Sequence, residues 1–366
     1  MVKILKIVLL LAIFILTGSF IVYKSSFEIQ KIEDAIFPSL TEEERKLNQL
    51  TLEQKIGQLF MIGFDGEVVN ENVENLIKEL HPGGILLLKR NIKNEEQLKE
   101  LISSLQKIAL EDTELPLFIA VDQEGGVVSR IEWIEKTPQS KIETIDQAYL
   151  IGQNRGKELE GLGINLNLAP LLDTTQTTDF IFERSFQKDP EIIGELTEAL
   201  IQGQKEAGIF VAVKHFPGYG GISFNPEEKL ATLEKIPEIS QFQKTTEAFP
   251  EMIMTSNVIY EELDENLPFS FSEKGIQFLK NNIEGNCLII SDDLSQNSLL
   301  NKFSLKKIVS LPIKAGVDIL IFSGWRVPVA EGVLAFRKVV KNEEISEQRI
   351  NQSVLKIIKL KQNLLK

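Results

Sequence analysis

Eight short apolar runs recur along this chain beyond residue 50, and stretches of helical period separate them. The runs lie at 59–64, 84–88, 117–121, 164–169, 209–213, 252–255, 287–290 and 319–322. They are continuously apolar rather than alternating, the pattern of strands buried on both faces in a parallel sheet. Between them, segments such as 94–110, 190–206 and 303–315 repeat apolar residues at helical spacing. Ser346 is a good cap for a last amphipathic helix running towards Leu365. Eight strand-then-helix units predict an α/β fold of the (β/α)₈ TIM-barrel type. A doubly wound open sheet is the alternative, because counting runs does not establish closure. The pair Gly125-Gly126 is no dinucleotide signature, since it lacks both the glycine spacing and the later acid.

The chain has 366 residues, 43% of them apolar and 25% charged, which describes a globular protein. A net charge of −13 argues against nucleic-acid binding, which requires a basic face. The single cysteine, Cys287, lies in an apolar run and reads as a buried thiol. No histidine–cysteine cluster suggests a structural metal, and no cofactor is expected. At the N-terminus, Lys3 and Lys6 precede an uncharged run from Ile7 to Tyr23. That basic-then-apolar order is expected of a signal peptide or a transmembrane anchor. The expected organisation is therefore 1–24 as signal or anchor, 25–47 as a polar tether and 48–366 as one barrel domain. The protein is expected to be exported. It would stay at the outer face of the cytoplasmic membrane through its N-terminal segment, or be secreted if that segment is cleaved.

In a barrel of this type the chemistry sits where strands end. The predicted strands end in Asp122-Gln123-Glu124, Leu171-Leu172-Asp173, Lys214-His215, Ser256-Asn257, Ser291-Asp292-Asp293 and Ser323-Gly324. Polar groups at nearly every end predict a polar pocket at one face. Lys214-His215 is notable, because only two histidines occur in the chain and burying such groups is costly unless something binds them. Asp292 directly follows an apolar strand and is the candidate nucleophile, with Lys214, Arg130 and Arg184 as cations expected to converge on it. Its alternative role is helix capping, for which Asp293 or Ser295 serves equally. A mixture of Asp, Arg, Lys, His and Asn suits a sugar, whose hydroxyls need donors and acceptors in fixed positions. A phosphate site is less well supported, because no glycine-rich loop opens a helix.

A set of segments then points further. They are Leu52-Glu53-Gln54-Lys55-Ile56-Gly57-Gln58, Pro82-Gly83-Gly84-Ile85, Lys89-Arg90-Asn91 and Asp122-Gln123-Glu124-Gly125-Gly126 with Arg130. Asn167-Leu168-Ala169-Pro170, Arg184-Ser185-Phe186, Lys214-His215-Phe216-Pro217-Gly218 and Ser291-Asp292-Asp293-Leu294 continue the series. In this order, the chain resembles a family 3 glycoside hydrolase of the β-N-acetylhexosaminidase branch. The resemblance implies a barrel, and retaining hydrolysis of a β-linked N-acetylglucosamine through a glycosyl-enzyme on Asp292. It also implies that Asp122, Arg130, Arg184, Lys214 and His215 grip the sugar, and that exported members act on peptidoglycan or its fragments. The chain departs from the family at four places. Tyr219 stands for a His, and Asn225-Pro226-Glu227 for the Asp-x-His pair that supplies the acid/base. Val127 stands for an Arg, and Asn257 for a His. Glu227, or the adjacent Glu228, is the candidate substitute for the acid/base. The alternative is a homologue that binds glycan without hydrolysing it.

Overall fold

The structure is a computed structural model that describes residues 40–364 except Phe249 and Trp325. The expected signal or anchor and nearly all of the tether lie outside the described residues. Among the described residues, no helix is long and apolar enough to cross a membrane. Residues 47–366 cluster as one compact unit.

The eight apolar runs become eight parallel strands. They are β1 (Phe60–Ile62), β2 (Gly84–Leu87), β3 (Phe118–Val121), β4 (Leu166–Asn167), β5 (Phe210–Phe216), β6 (Met252–Thr255), β7 (Leu288–Asp293) and β8 (Ile319–Phe322). Each pairs with the next in sequence, and β8 returns to β1 through Phe60↔Leu320, Met61↔Ile321 and Ile62↔Phe322. That last ladder closes the barrel and removes the open-sheet alternative. The continuous apolar runs are explained by their surroundings: β1, β2, β3, β6 and β8 are buried at every position.

The strand ends differ from the sequence expectation in ways that matter for the site. β4 pairs over only two residues, and beyond Pro170 a single parallel bridge, Leu171↔Lys214, joins it to β5 again. β5 and β7 instead run past their apolar cores and carry Lys214-His215 and Asp292 within the strands. Both strands shift register there, β5 against β6 between Val213 and Phe216, and β7 against β8 between Ile290 and Asp293. Such irregularities bend a strand and re-aim its side chains.

Helices cover the outside, and most begin at a side-chain cap. Asn70, Asn94, Thr144, Ser272, Ser304 and Ser346 each accept the N–H three residues on. The helices Ile145–Gly161 and Pro190–Glu206 cross closely. A Cβ on Gly152 would stand 2.3 Å from Leu200 O, and one on Gly203 would stand 2.3 Å from Tyr149 O, so only glycine permits this approach.

Lys361 ends the last helix, Glu347–Lys361, and is wholly buried near the N-terminal ends of the strands. Its Nζ donates to Gln58 Oε1 at 2.7 Å and lies 5.1 Å from the centre of the Phe118 ring. No carboxylate pairs with it among the described residues, and burial lowers its pKa to about 7. Between about pH 7 and the ordinary lysine value, the unfolded chain holds a proton that the folded chain releases. Stability should therefore rise with pH across that window, by roughly 1.4 kcal/mol per pH unit, and be flat in this respect below it. Chemical denaturation of the wild type and Lys361→Met at about pH 7 and about pH 9 checks this. The wild type is expected to gain stability relative to the variant, and parallel behaviour would contradict the reading.

Candidate active site

A cavity of about 480 Å³ opens at the C-terminal ends of the strands. Its apolar lining includes Leu86 on β2, Leu168 just after β4, Met254 on β6 and Ile321 on β8. These are one layer from alternate strands, as barrel interiors are built. All seven residues singled out from the sequence line this cavity: Asp122, Arg130, Arg184, Lys214, His215, Glu227 and Asp292.

The cations do not converge on Asp292 as expected. They are held by two carboxylates that follow β3, the partly buried Asp122 and the fully buried Glu124. Lys214 Nζ, 2% exposed, donates to Asp122 Oδ1 at 2.8 Å and meets Glu124 Oε1 at 2.6 Å. Arg184 grips Glu124 with Nε at 3.0 Å and Nη2 at 2.8 Å, a two-pronged pair. Arg130 Nη2 reaches Asp122 Oδ2 at 3.1 Å. Burial opposes ionisation of both acids, but the neighbouring cations outweigh it. Lys214 and Arg130 hold Asp122 far below the usual carboxylate range, while Arg184 and Lys214 hold Glu124 down at about 2. The same carboxylates keep Lys214 protonated against its burial. The result is a fixed lattice of charges that needs no reorganisation when a polar ligand arrives. Arg130 Nε is buried and has no hydrogen-bond partner among the described residues.

Local backbone explains how Glu124 enters. Gly125 has φ +94° and Gly126 φ +64°, the left-handed region, and a Cβ on Gly125 would lie 2.0 Å from Thr137 O. From behind, the buried Arg155 donates Nη1 to Glu124 O at 3.0 Å and Nε to Glu135 Oε2 at 2.8 Å.

His215 and Tyr219 are organised by Asp173. Its Oδ2 faces His215 Nδ1 at 3.0 Å, and its Oδ1 accepts the Tyr219 backbone N–H at 2.5 Å. A carboxylate at Nδ1 places the ring proton there and leaves Nε2 for a ligand. The two rings meet edge to face with centroids 4.8 Å apart.

Asp292 is held by donors that carry no charge. Tyr219 Oη donates to its Oδ2 at 2.6 Å, and the Asp293 N–H to its Oδ1 at 2.7 Å. Neither acid caps the next helix, Asn297–Leu300, whose N-cap is Gln296 without a side-chain bond. Asp293 instead ties its own turn to the end of β8, its carboxylate accepting Ser295 N, Ser295 Oγ, Ser323 N and Ser323 Oγ. Both acids line the cavity, but the four bonds to Ser295 and Ser323 occupy Asp293.

Glu227 stands on the loop after β5. Asn225 Oδ1 accepts the Glu227 N–H at 3.0 Å, a turn that Asn-Pro favours, and Glu227 O accepts the Ser298 N–H at 2.9 Å. Its carboxyl makes no hydrogen bond among the described residues. Burial, reinforced by the Asp292 charge and only partly offset by Arg184, raises its pKa above the ordinary value. Glu228 is different: it is exposed and ties to Asn297 Nδ2 at 2.6 Å and Arg326 Nη2 at 3.0 Å. Glu228 is therefore removed as a candidate.

Three residues at this site were not singled out from the sequence. Glu124 could have been, because residues two apart on an extended chain share a face and Asp122 was already chosen. Asp173 was noted only as a strand end. Tyr219 was noted only as a departure, and nothing in the sequence signals its contact with Asp292.

The family model described as "Glycosyl hydrolase family 3 N terminal domain" matches residues 51–360. The chain belongs to glycosyl hydrolase family 3. As a member of the family's β-hexosaminidase branch it is a glycosidase. It is 31% identical over 316 residues to a β-hexosaminidase of Idiomarina loihiensis, covering 81% of this chain and 92% of that protein. A β-hexosaminidase of Nitrosomonas eutropha is 30% identical over 66% of this chain and 74% of its own length. Among solved structures, a family 3 β-N-acetylglucosaminidase from Paenibacillus superposes with a TM-score of 0.82 at 30% identity. The match covers 86% of this chain and 62% of that one.

Proposed function

We propose that this family 3 chain is a retaining β-N-acetylhexosaminidase that cleaves β-linked N-acetylglucosamine, with Asp292 as nucleophile and Glu227 as acid/base. The reading rests on one observation. A carboxylate held by two donors and a desolvated carboxyl with no hydrogen-bond partner among the described residues line the same cavity. Retaining glycosidases need such a pair with divergent protonation. In the first step Asp292 attacks the anomeric carbon while Glu227 gives its proton to the departing oxygen. In the second, Glu227 takes a proton from water as the water oxygen displaces Asp292, and the two successive inversions give net retention. Asp122, Arg130, Arg184, Lys214 and His215 supply the donors and acceptors that a sugar ring requires.

Peptidoglycan fragments are the proposed material, and the basic-then-apolar N-terminus supports an exported protein that meets them. Release of p-nitrophenol from the aryl β-N-acetylglucosaminide tests the activity, and release of N-acetylglucosamine from muropeptide disaccharides tests the material. No release from either by folded protein would favour a glycan binder instead.

A further inference from the structure

Tyr219 is wired in one direction. Its hydroxyl oxygen accepts the Asn257 backbone N–H at 2.9 Å, so its own proton is left for Asp292 Oδ2 at 2.6 Å. The ring is fixed by the Asp173 bond to its backbone and by the edge of His215, and only 3% of the residue is exposed. Three strand ends thus meet at one residue, that of β4 through its backbone N–H and those of β6 and β7 through its hydroxyl. A buried hydroxyl aimed at a nucleophile by a backbone amide has a use that differs between the two half-reactions.

We propose that Tyr219 is a positioning residue whose hydroxyl stabilises Asp292 as a leaving group, speeding breakdown of the glycosyl-enzyme. The inference rests on the retaining reading above. In the first half-reaction Asp292 begins ionised and loses charge as its oxygen bonds the anomeric carbon, so a donor to it gains nothing in the transition state. In the second, the water oxygen forms a bond to the anomeric carbon and a water proton passes to Glu227. The carbon–oxygen bond to Asp292 breaks, and its electron pair returns to the carboxylate. Charge grows on Asp292 as that bond breaks, and a preorganised donor strengthens with it.

Steady-state kinetics of wild type and Tyr219→Phe on 2,4-dinitrophenyl β-N-acetylglucosaminide test this, because so good a leaving group makes the second step limiting. The variant is expected to lose about ten- to hundredfold in kcat, the worth of one hydrogen bond to a charged group. KM should fall in parallel, kcat/KM should stay within a few-fold, and intact-mass spectra should show glycosyl-enzyme accumulating at steady state. Loss of kcat and kcat/KM together, or no change in either, would overturn the proposal while leaving the hydrolase reading intact. Inactivity of the wild type would overturn both. If Tyr219→Phe does not fold, Tyr219→His, which keeps a ring and an N–H donor, is measured instead. It should show a milder drop in kcat with a correspondingly milder fall in KM, and a loss of kcat/KM equal to that of kcat would overturn the proposal.

Discussion

Asp292→Asn should lower turnover of an aryl β-N-acetylglucosaminide by about 10⁴-fold or more while changing affinity for N-acetylglucosamine little. The asymmetry follows from the wiring. The sugar-gripping charges are paired with one another through Asp122 and Glu124, not with Asp292, so removing its charge leaves that lattice standing. The amide is nearly isosteric, and its oxygen still accepts a hydrogen bond from Tyr219. What it cannot do is attack the anomeric carbon. One secondary effect is expected: Glu227 loses the negative neighbour that helps hold its proton, and its pKa should fall. Calorimetric titration with N-acetylglucosamine alongside the rate assay separates the two consequences. A variant that turns over at the wild-type rate would remove Asp292 from the mechanism.

Glu227→Gln carries the second largest effect. A general acid contributes about 10²–10⁴-fold, and most of it is felt when the leaving group is poor. The loss in kcat/KM should therefore be near that size on an alkyl or sugar aglycone and far smaller on dinitrophenol. The pH profile should change as well. A raised pKa keeps Glu227 protonated beyond the ordinary carboxyl range, so the basic limb of kcat/KM lies higher than a solvent-exposed glutamate would place it. In Glu227→Gln that limb should vanish, because an amide does not titrate. Equal rates for variant and wild type on every leaving group would show that the proton comes from elsewhere.

The barrel was legible because buried parallel strands must be apolar throughout, and eight such runs are hard to misread. Their polar ends were less so. Apolarity stops at Val213 and Ile290, yet the hydrogen-bonded strands run on to Phe216 and Asp293, since pairing depends on the backbone rather than on side-chain hydropathy. The site residues were found individually, but not their partners. Which carboxylate neutralises Lys214 depends on how β3 and β5 sit across the barrel mouth, more than ninety residues apart. Composition at strand ends contains no such information. The choice between Glu227 and Glu228 is of the same kind: adjacent and chemically identical, they are told apart by tertiary contacts, with Glu227 in the cavity lining and Glu228 tied to Arg326 and Asn297.

The most direct test of the central claim is to trap the covalent intermediate. The full chain is incubated with an activated, slowly hydrolysed fluoro-substituted N-acetylglucosaminide, digested, and its peptides are weighed. The retaining account predicts one added glycosyl residue, confined to the peptide that contains Asp292. Substrate turnover without any adduct, or an adduct on a peptide lacking Asp292, would contradict it.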